Sequence, residues 1–114
     1  MLPAYKLKLM FEWGGGCLWG ANDETSRRFG VGPLEDALPI SEATRRRLEE
    51  LTVWHDESLN WDYPPDPGPW SLDEYERFDL AARRILEKIR SDLGAEFDVD
   101  YKVLGSFENT SPSL

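Results

Sequence analysis

The stretch that determines the fold most clearly is SLDEYERFDLAARRILEKIRSDLG, residues 71–94. Ser71, followed three residues later by Glu74, forms a capping box and predicts a helix start. Gly94 is typical of the position just beyond a helix end. Apolar residues recur between these ends at steps of three or four, which places them on one helix face. They are Leu72, Tyr75, Phe78, Ala82, Ile85, Ile89 and Leu93. The pattern predicts a helix of about 22 residues, or ~33 Å, that organises the core.

Two segments alternate between apolar and polar residues, as β-strands do. In the first, residues 5–13, the apolar positions are Tyr5, Leu7, Leu9, Phe11 and Trp13. The glycines at 14–16 predict a tight turn and residues 17–19 a short returning strand, so the two strands form a hairpin. The second segment, residues 97–103, predicts a last strand. We expect it to pair with the first strand, in a direction that the sequence leaves open.

Two further helices are predicted between the hairpin and residue 71. Asn22 or Asp23 can cap one or two helical turns that reach Arg28. Ser41 can cap a longer helix that runs to about His55. Its inner side carries Leu48, Leu51 and His55, with Thr44 and Trp54 beside them. Residues 30–39 predict an irregular loop, and the prolines at 64, 65, 67 and 69 predict a stiff, extended connector.

These elements predict an α+β fold in which two main helices pack on one face of a small three-stranded sheet. The sheet consists of the N-terminal hairpin and the C-terminal strand. We expect residues 1–105 to form a single domain and the small, polar residues 106–114 to form a frayed tail. The apolar runs are too short to span a membrane, and Cys17 is the single cysteine. A cytoplasmic, reduced setting is therefore expected.

The negative charge is concentrated in one part of the chain. The net charge is −9, from 13 Lys and Arg against 22 Asp and Glu. Residues 48–76, called here the acidic window, contain nine acidic residues and neither Lys nor Arg. This distribution allows two interpretations. The window is either a solvated face that keeps a small protein in solution or an interface for a basic partner.

Aromatic residues within the acidic window favour the interface, because they supply contact area and stack on Arg or Lys, while carboxylates steer the encounter. The predicted partner-binding residues are Trp54, Asp56, Glu57, Asn60, Trp61, Asp62, Tyr63, Asp66 and Trp70. An alternative role for Trp61 and Trp70 is to dock the proline-rich connector onto the helices. Binding of nucleic acid is disfavoured, since the basic residues are few and scattered.

No catalytic, cofactor or metal motif is complete. Gly14 and Gly16 begin a G-x-G-x-x-G pattern, but Trp19 occupies its last position. His55 is the single histidine, and neither an EF-hand nor a two-histidine metal motif is present. Cys17 lies in an apolar strand, where a thiol is normally inert. We therefore expect no catalytic residues, no cofactor and no metal.

Two segments carry a resemblance to a known type of protein. They are Phe11-Glu12-Trp13 with its glycines and Leu18-Trp19, and Ser58-Leu59-Asn60-Trp61-Asp62-Tyr63-Pro64-Pro65. Together they resemble small acidic bacterial proteins of the polymorphic-toxin and contact-dependent inhibition immunity type. The resemblance covers most of residues 5–103 and implies a protein that binds and silences a toxin domain, often a basic nuclease. It implies no individual functional residue.

The leading hypothesis is a non-enzymatic binding protein, an immunity protein whose acidic window covers a basic toxin domain. Two alternatives stay open. One is a small enzyme that uses carboxylates near His55, and the other is an interaction module whose exposed aromatic residues form a homo-oligomer. The leading hypothesis predicts a basic protein partner, no nucleic acid and no membrane, and leaves the oligomeric state open.

Overall fold

The structure is a computed structural model that describes residues 4–30, 32–63 and 68–102. Its elements in chain order are β1 (Tyr5–Leu9), β2 (Leu18–Gly20), α1 (Asp23–Phe29), α2 (Glu42–Asp56), α3 (Leu72–Leu93) and β3 (Phe97–Tyr101). The predicted α+β fold is confirmed, with the N-terminal hairpin and the C-terminal strand in one sheet. The end of the predicted last strand, Val103, and the predicted tail lie outside the described residues.

The sheet has the order β2-β1-β3, so the first strand is central. β1 pairs antiparallel with β2, where Lys8 lies opposite Trp19. It pairs parallel with β3, where Leu7 lies opposite Val99. The parallel pair requires a long crossover connection, which includes α2 and α3. The expected pairing of the first and last strands is confirmed, and its direction is parallel.

Side-chain hydroxyls cap both long helices at the predicted residues. The Ser41 hydroxyl accepts a hydrogen bond from the Thr44 amide at 3.1 Å, and the Ser71 hydroxyl accepts one from the Glu74 amide at 3.2 Å. Each bond satisfies one of the amides that a helix start leaves without a partner. Asn22 caps α1 in the same way, through the Thr25 amide at 3.0 Å. The three caps therefore determine where the helices begin.

The core lies between the sheet and the inner faces of α2 and α3. It includes Leu7 and Leu9 from β1, Leu51 from α2, and Phe78 and Ile85 from α3, each at most 5% exposed. Most of the predicted α3 face is buried, as are Leu48 and His55 of α2. The prediction is wrong for Leu72, which is 75% exposed because it occupies the first position of α3, beyond the packed part of the helix.

The first strand is shorter than predicted. β1 ends at Leu9, although the alternation continues as far as Phe11, which is 5% exposed. The strand does not continue to residue 13 because the chain turns after Glu12, where the Gly15 amide donates a hydrogen bond to the Glu12 carbonyl at 3.1 Å. Trp13 is therefore outside the strand and 49% exposed. The prediction that the strand extends to Trp13 is wrong.

Candidate functional site

The tip of the β1–β2 hairpin docks on the C-terminal end of α2. The Trp13 indole N–H donates a hydrogen bond to the Ser58 hydroxyl at 2.8 Å, and the Gly14 amide donates one to the Asp56 carboxylate at 3.0 Å. Ser58 in turn donates to the His55 carbonyl at 2.7 Å. Gly14 has a φ of 72°, a left-handed conformation that glycine adopts readily. The hairpin and the acidic window are thus joined at one place.

His55 lies beneath this junction and is 4% exposed. The Trp13 ring stacks on its imidazole, with centroids 5.5 Å apart and planes 6° apart, and Phe11 and Phe78 lie within 6 Å. Burial lowers the pKa of His55 from 6.5 to about 4, against a smaller opposite effect of Asp56. Its Nδ1 atom has no hydrogen-bond partner among the described residues. At neutral pH the imidazole is therefore uncharged and forms part of the core.

Trp61 lies on the surface beside the hairpin tip and is 56% exposed. Its indole N–H donates to the Asp56 carbonyl at 2.8 Å, and its Cη2 atom lies 3.8 Å from where a side chain on Gly14 would begin. Asn60 fixes the next turn, since its side-chain oxygen accepts hydrogen bonds from the Asp62 and Tyr63 amides, each at 3.1 Å. This segment therefore presents aromatic rings to solvent in a defined arrangement.

Trp54 and Trp70 pack against the core instead. Their ring centroids lie 5.1 and 5.3 Å from that of Phe78 and 5.8 Å from each other. The Trp54 indole N–H donates to Glu74 at 2.6 Å, and this bond, followed by one from Arg77, lowers the pKa of Glu74. Both tryptophans are partly buried, which fits a role in holding the start of α3 against α2.

The acidic window is only partly free of counter-charges. Glu50 pairs with Arg47 at 2.9 Å, and Arg77 pairs with both Asp73 and Glu74. The carboxylates of four other acids have no ion pair or hydrogen bond within the described part of the chain. These acids are Glu49, Glu57, Asp62 and Glu76. Unpaired negative charge therefore remains along α2, in the segment after it and in the first turns of α3.

The predicted partner-binding residues separate into groups. The exposed members of the set all lie in the segment that follows α2, and they are Glu57, Trp61, Asp62 and Tyr63. Asp56 and Asn60 position their neighbours through hydrogen bonds. Trp54 and Trp70 pack against the core. Asp66 lies outside the described residues. A shallow depression of about 440 Å³ lies beside Trp61 and is lined by Asp62 and Gly68, among others. Whether these residues bind a partner stays a prediction.

Sequence reasoning missed two residues of this region, Trp13 and Glu12. The Glu12 carboxylate has no partner among the described residues, and it precedes Trp13 at the hairpin tip. The three glycines after Trp13 were the available signal, because a turn there separates Trp13 from the strand. The contact with residues 55–58 had no signal in the sequence, since it joins positions 42 to 45 residues apart.

The described residues contain no group of three or more His, Cys, Asp or Glu that could hold a metal ion. None of the described helices is long and apolar enough to cross a membrane. A search of curated proteins found no match to the chain. One protein family, described as Serratia CdiI immunity protein-like, matches residues 5–103, a range that includes every described helix and strand and the hairpin tip. The chain belongs to this Serratia CdiI immunity protein-like family.

Proposed function

We propose that this protein is a non-enzymatic immunity protein that binds a cognate toxin domain through the end of α2 and the turn after it. The observation that carries the proposal is the pair of exposed aromatic residues, Trp61 and Tyr63, next to carboxylates without partners. Membership of an immunity protein-like family supports the proposal, because an immunity protein needs a surface that binds its toxin. The predicted residues Glu57 and Asp62 would then face basic groups of the toxin.

Charge and hydrogen bonding explain why this surface suits a protein partner. Unpaired carboxylates attract a basic domain over distances of about 10 Å at 0.1 M salt. Trp61 and the Asn60 turn are already held by hydrogen bonds, so little side-chain entropy remains to be lost on binding. If the toxin is a nuclease, the carboxylates pair with the basic groups of the toxin that would otherwise bind the phosphates of nucleic acid. The protein would neutralise the toxin by covering the toxin's basic surface, in the cytoplasm of the cell that makes both proteins.

The enzyme alternative receives no support from His55. An imidazole that is 4% exposed, covered by Trp13 and surrounded by aromatic rings has no open face for a substrate. Its pKa of about 4 also leaves it a weak base at neutral pH. Carboxylate chemistry at this position would have to proceed without the histidine that suggested it.

The test is co-expression of this protein with the toxin domain encoded beside its gene, followed by binding measurements. We expect the wild type to restore growth and to associate more slowly as salt is raised from about 0.1 to about 1 M, because the screening length falls to about 3 Å. Reversal of both Glu57 and Asp62 to Lys should mainly slow association. Growth that is not restored by the wild type would refute the immunity role. Unchanged association of the double variant would refute the acidic interface.

A further inference from the structure

We propose that the hairpin tip is a second part of this binding surface, where the partner stacks an arginine side chain on Trp13 and Trp61. The inference rests on the proposed function and adds the chemistry of the contact. The Trp13–Trp61 patch is defined here as Glu12, Trp13, Glu57, Trp61 and Asp62. Two of these residues come from the hairpin and three from the acidic window.

The two tryptophans have their indole N–H groups engaged within the protein and their rings exposed. Trp13 uses its N–H on Ser58 and stacks one ring face on His55, and the residue as a whole remains 49% exposed. Trp61 uses its N–H on the Asp56 carbonyl and remains 56% exposed. A partner therefore meets fixed aromatic faces rather than hydrogen-bond donors. Such faces attract cations through the ring quadrupole.

The carboxylates of the patch strengthen this preference. Glu12, Glu57 and Asp62 have no counter-ion among the described residues, so each is available to a cation at the patch. Guanidinium is planar, is weakly hydrated and donates several hydrogen bonds around its edge, so it can stack on indole and contact carboxylates together. A lysine ammonium is compact and strongly hydrated, and it stacks less well. The chemistry of the patch therefore selects arginine.

Binding of the toxin domain should be measured for the wild type, Glu12→Lys and Trp13→Ala, with a thermal melt of each variant. Glu12→Lys should weaken binding by about tenfold and leave the melt unchanged, because its side chain has no partner to lose. Trp13→Ala should weaken binding by about thirtyfold. The matched control is Glu96→Lys, which makes the same charge change beside the start of β1, at the opposite end of that strand from the patch. It should change binding less than about twofold.

Double-mutant cycles then identify the partner group. Each exposed arginine of the toxin domain is changed to Lys and combined with Trp13→Ala and Trp61→Ala. We expect one arginine to couple to both tryptophans. Wild-type binding with no such coupling, or with Glu12→Lys unaffected, would overturn this inference and leave the proposed function standing. Loss of binding in Trp13→Ala with a lowered melt, while Glu12→Lys binds normally, would overturn it as well. Absence of wild-type binding would refute the proposed function itself.

Discussion

Burial of His55 makes the stability of this protein depend on pH in a range where few other groups titrate. The imidazole is 4% exposed and has a pKa of about 4 in the folded state, compared with 6.5 when it is free. The unfolded chain therefore binds a proton at a pH where the folded protein does not. Stability is fully present above pH 6.5, decreases as the pH falls below that value and levels off below pH 4.

The size of the effect follows from the two pKa values. Between pH 8 and pH 5, protonation of His55 shifts the unfolding equilibrium about thirtyfold toward the unfolded state. This shift corresponds to a loss of about 2 kcal/mol in the free energy of unfolding. Asp92 and Glu74 have lowered pKa values, so the stability that they contribute is lost in more acidic solution, as the pH falls through their folded values. The interval from pH 8 to pH 5 therefore isolates the histidine.

The assay is urea denaturation at several pH values in that interval, for the wild type and for His55→Phe. Phenylalanine suits the site because the ring lies among Phe11, Trp13 and Phe78 and Nδ1 has no described hydrogen-bond partner to lose. We expect the wild type to lose about 2 kcal/mol relative to the variant as the pH falls to 5. Parallel stability curves for the two proteins, or an imidazole that titrates near pH 6.5 by NMR, would refute the argument.

Three further predictions concern the core, the hairpin and the surface. Ile85→Ala should lower the free energy of unfolding by about 2–5 kcal/mol and Ser71→Ala by only about 1 kcal/mol, and equal effects in urea would show that the inner face of α3 is wrongly assigned. Gly16→Ala should cost about 1–3 kcal/mol, because its new Cβ would lie 2.2 Å from Cβ of Pro33, and an unchanged melt would contradict that contact. Trp61→Ala should speed toxin dissociation, by a factor that corresponds to ~2 kcal/mol, and should leave the thermal melt unchanged. A lowered melt would instead show that Trp61 has a structural role.

Sequence reasoning succeeded where structure depends on neighbours in the chain. The cap at Ser71, the steps of three and four after it and the glycine at 94 are local signals, and α3 has the bounds that they predict. The hydroxyl of Ser41 likewise determines the start of α2. The strand alternation was reliable as far as Phe11, because burial in the core keeps side chains on one face.

Contacts between distant positions could not be predicted in this way. Glu35 is one of 22 acids, yet its carboxylate accepts hydrogen bonds from the Cys17 and Leu18 amides at 2.8 and 3.2 Å and so fixes the start of β2. Asp92 similarly accepts from the Ser41 amide at 3.0 Å, which joins the end of α3 to the start of α2. Nothing in the residue types or their spacing distinguishes these acids from solvated ones. The docking of Trp13 on His55 belongs to the same class.

The position of Trp13 connects the stability of the core to the order of the proposed surface. One side of its ring covers His55, which is part of the core, while the residue as a whole remains 49% exposed. A residue held in this way needs little further ordering when a partner binds, so more of the contact energy appears as affinity. The same arrangement has a cost, since a charged imidazole beneath Trp13 would disturb the surface as well as the core. At neutral pH that cost is absent, because burial holds the pKa of His55 in the folded protein at about 4 and the imidazole stays neutral.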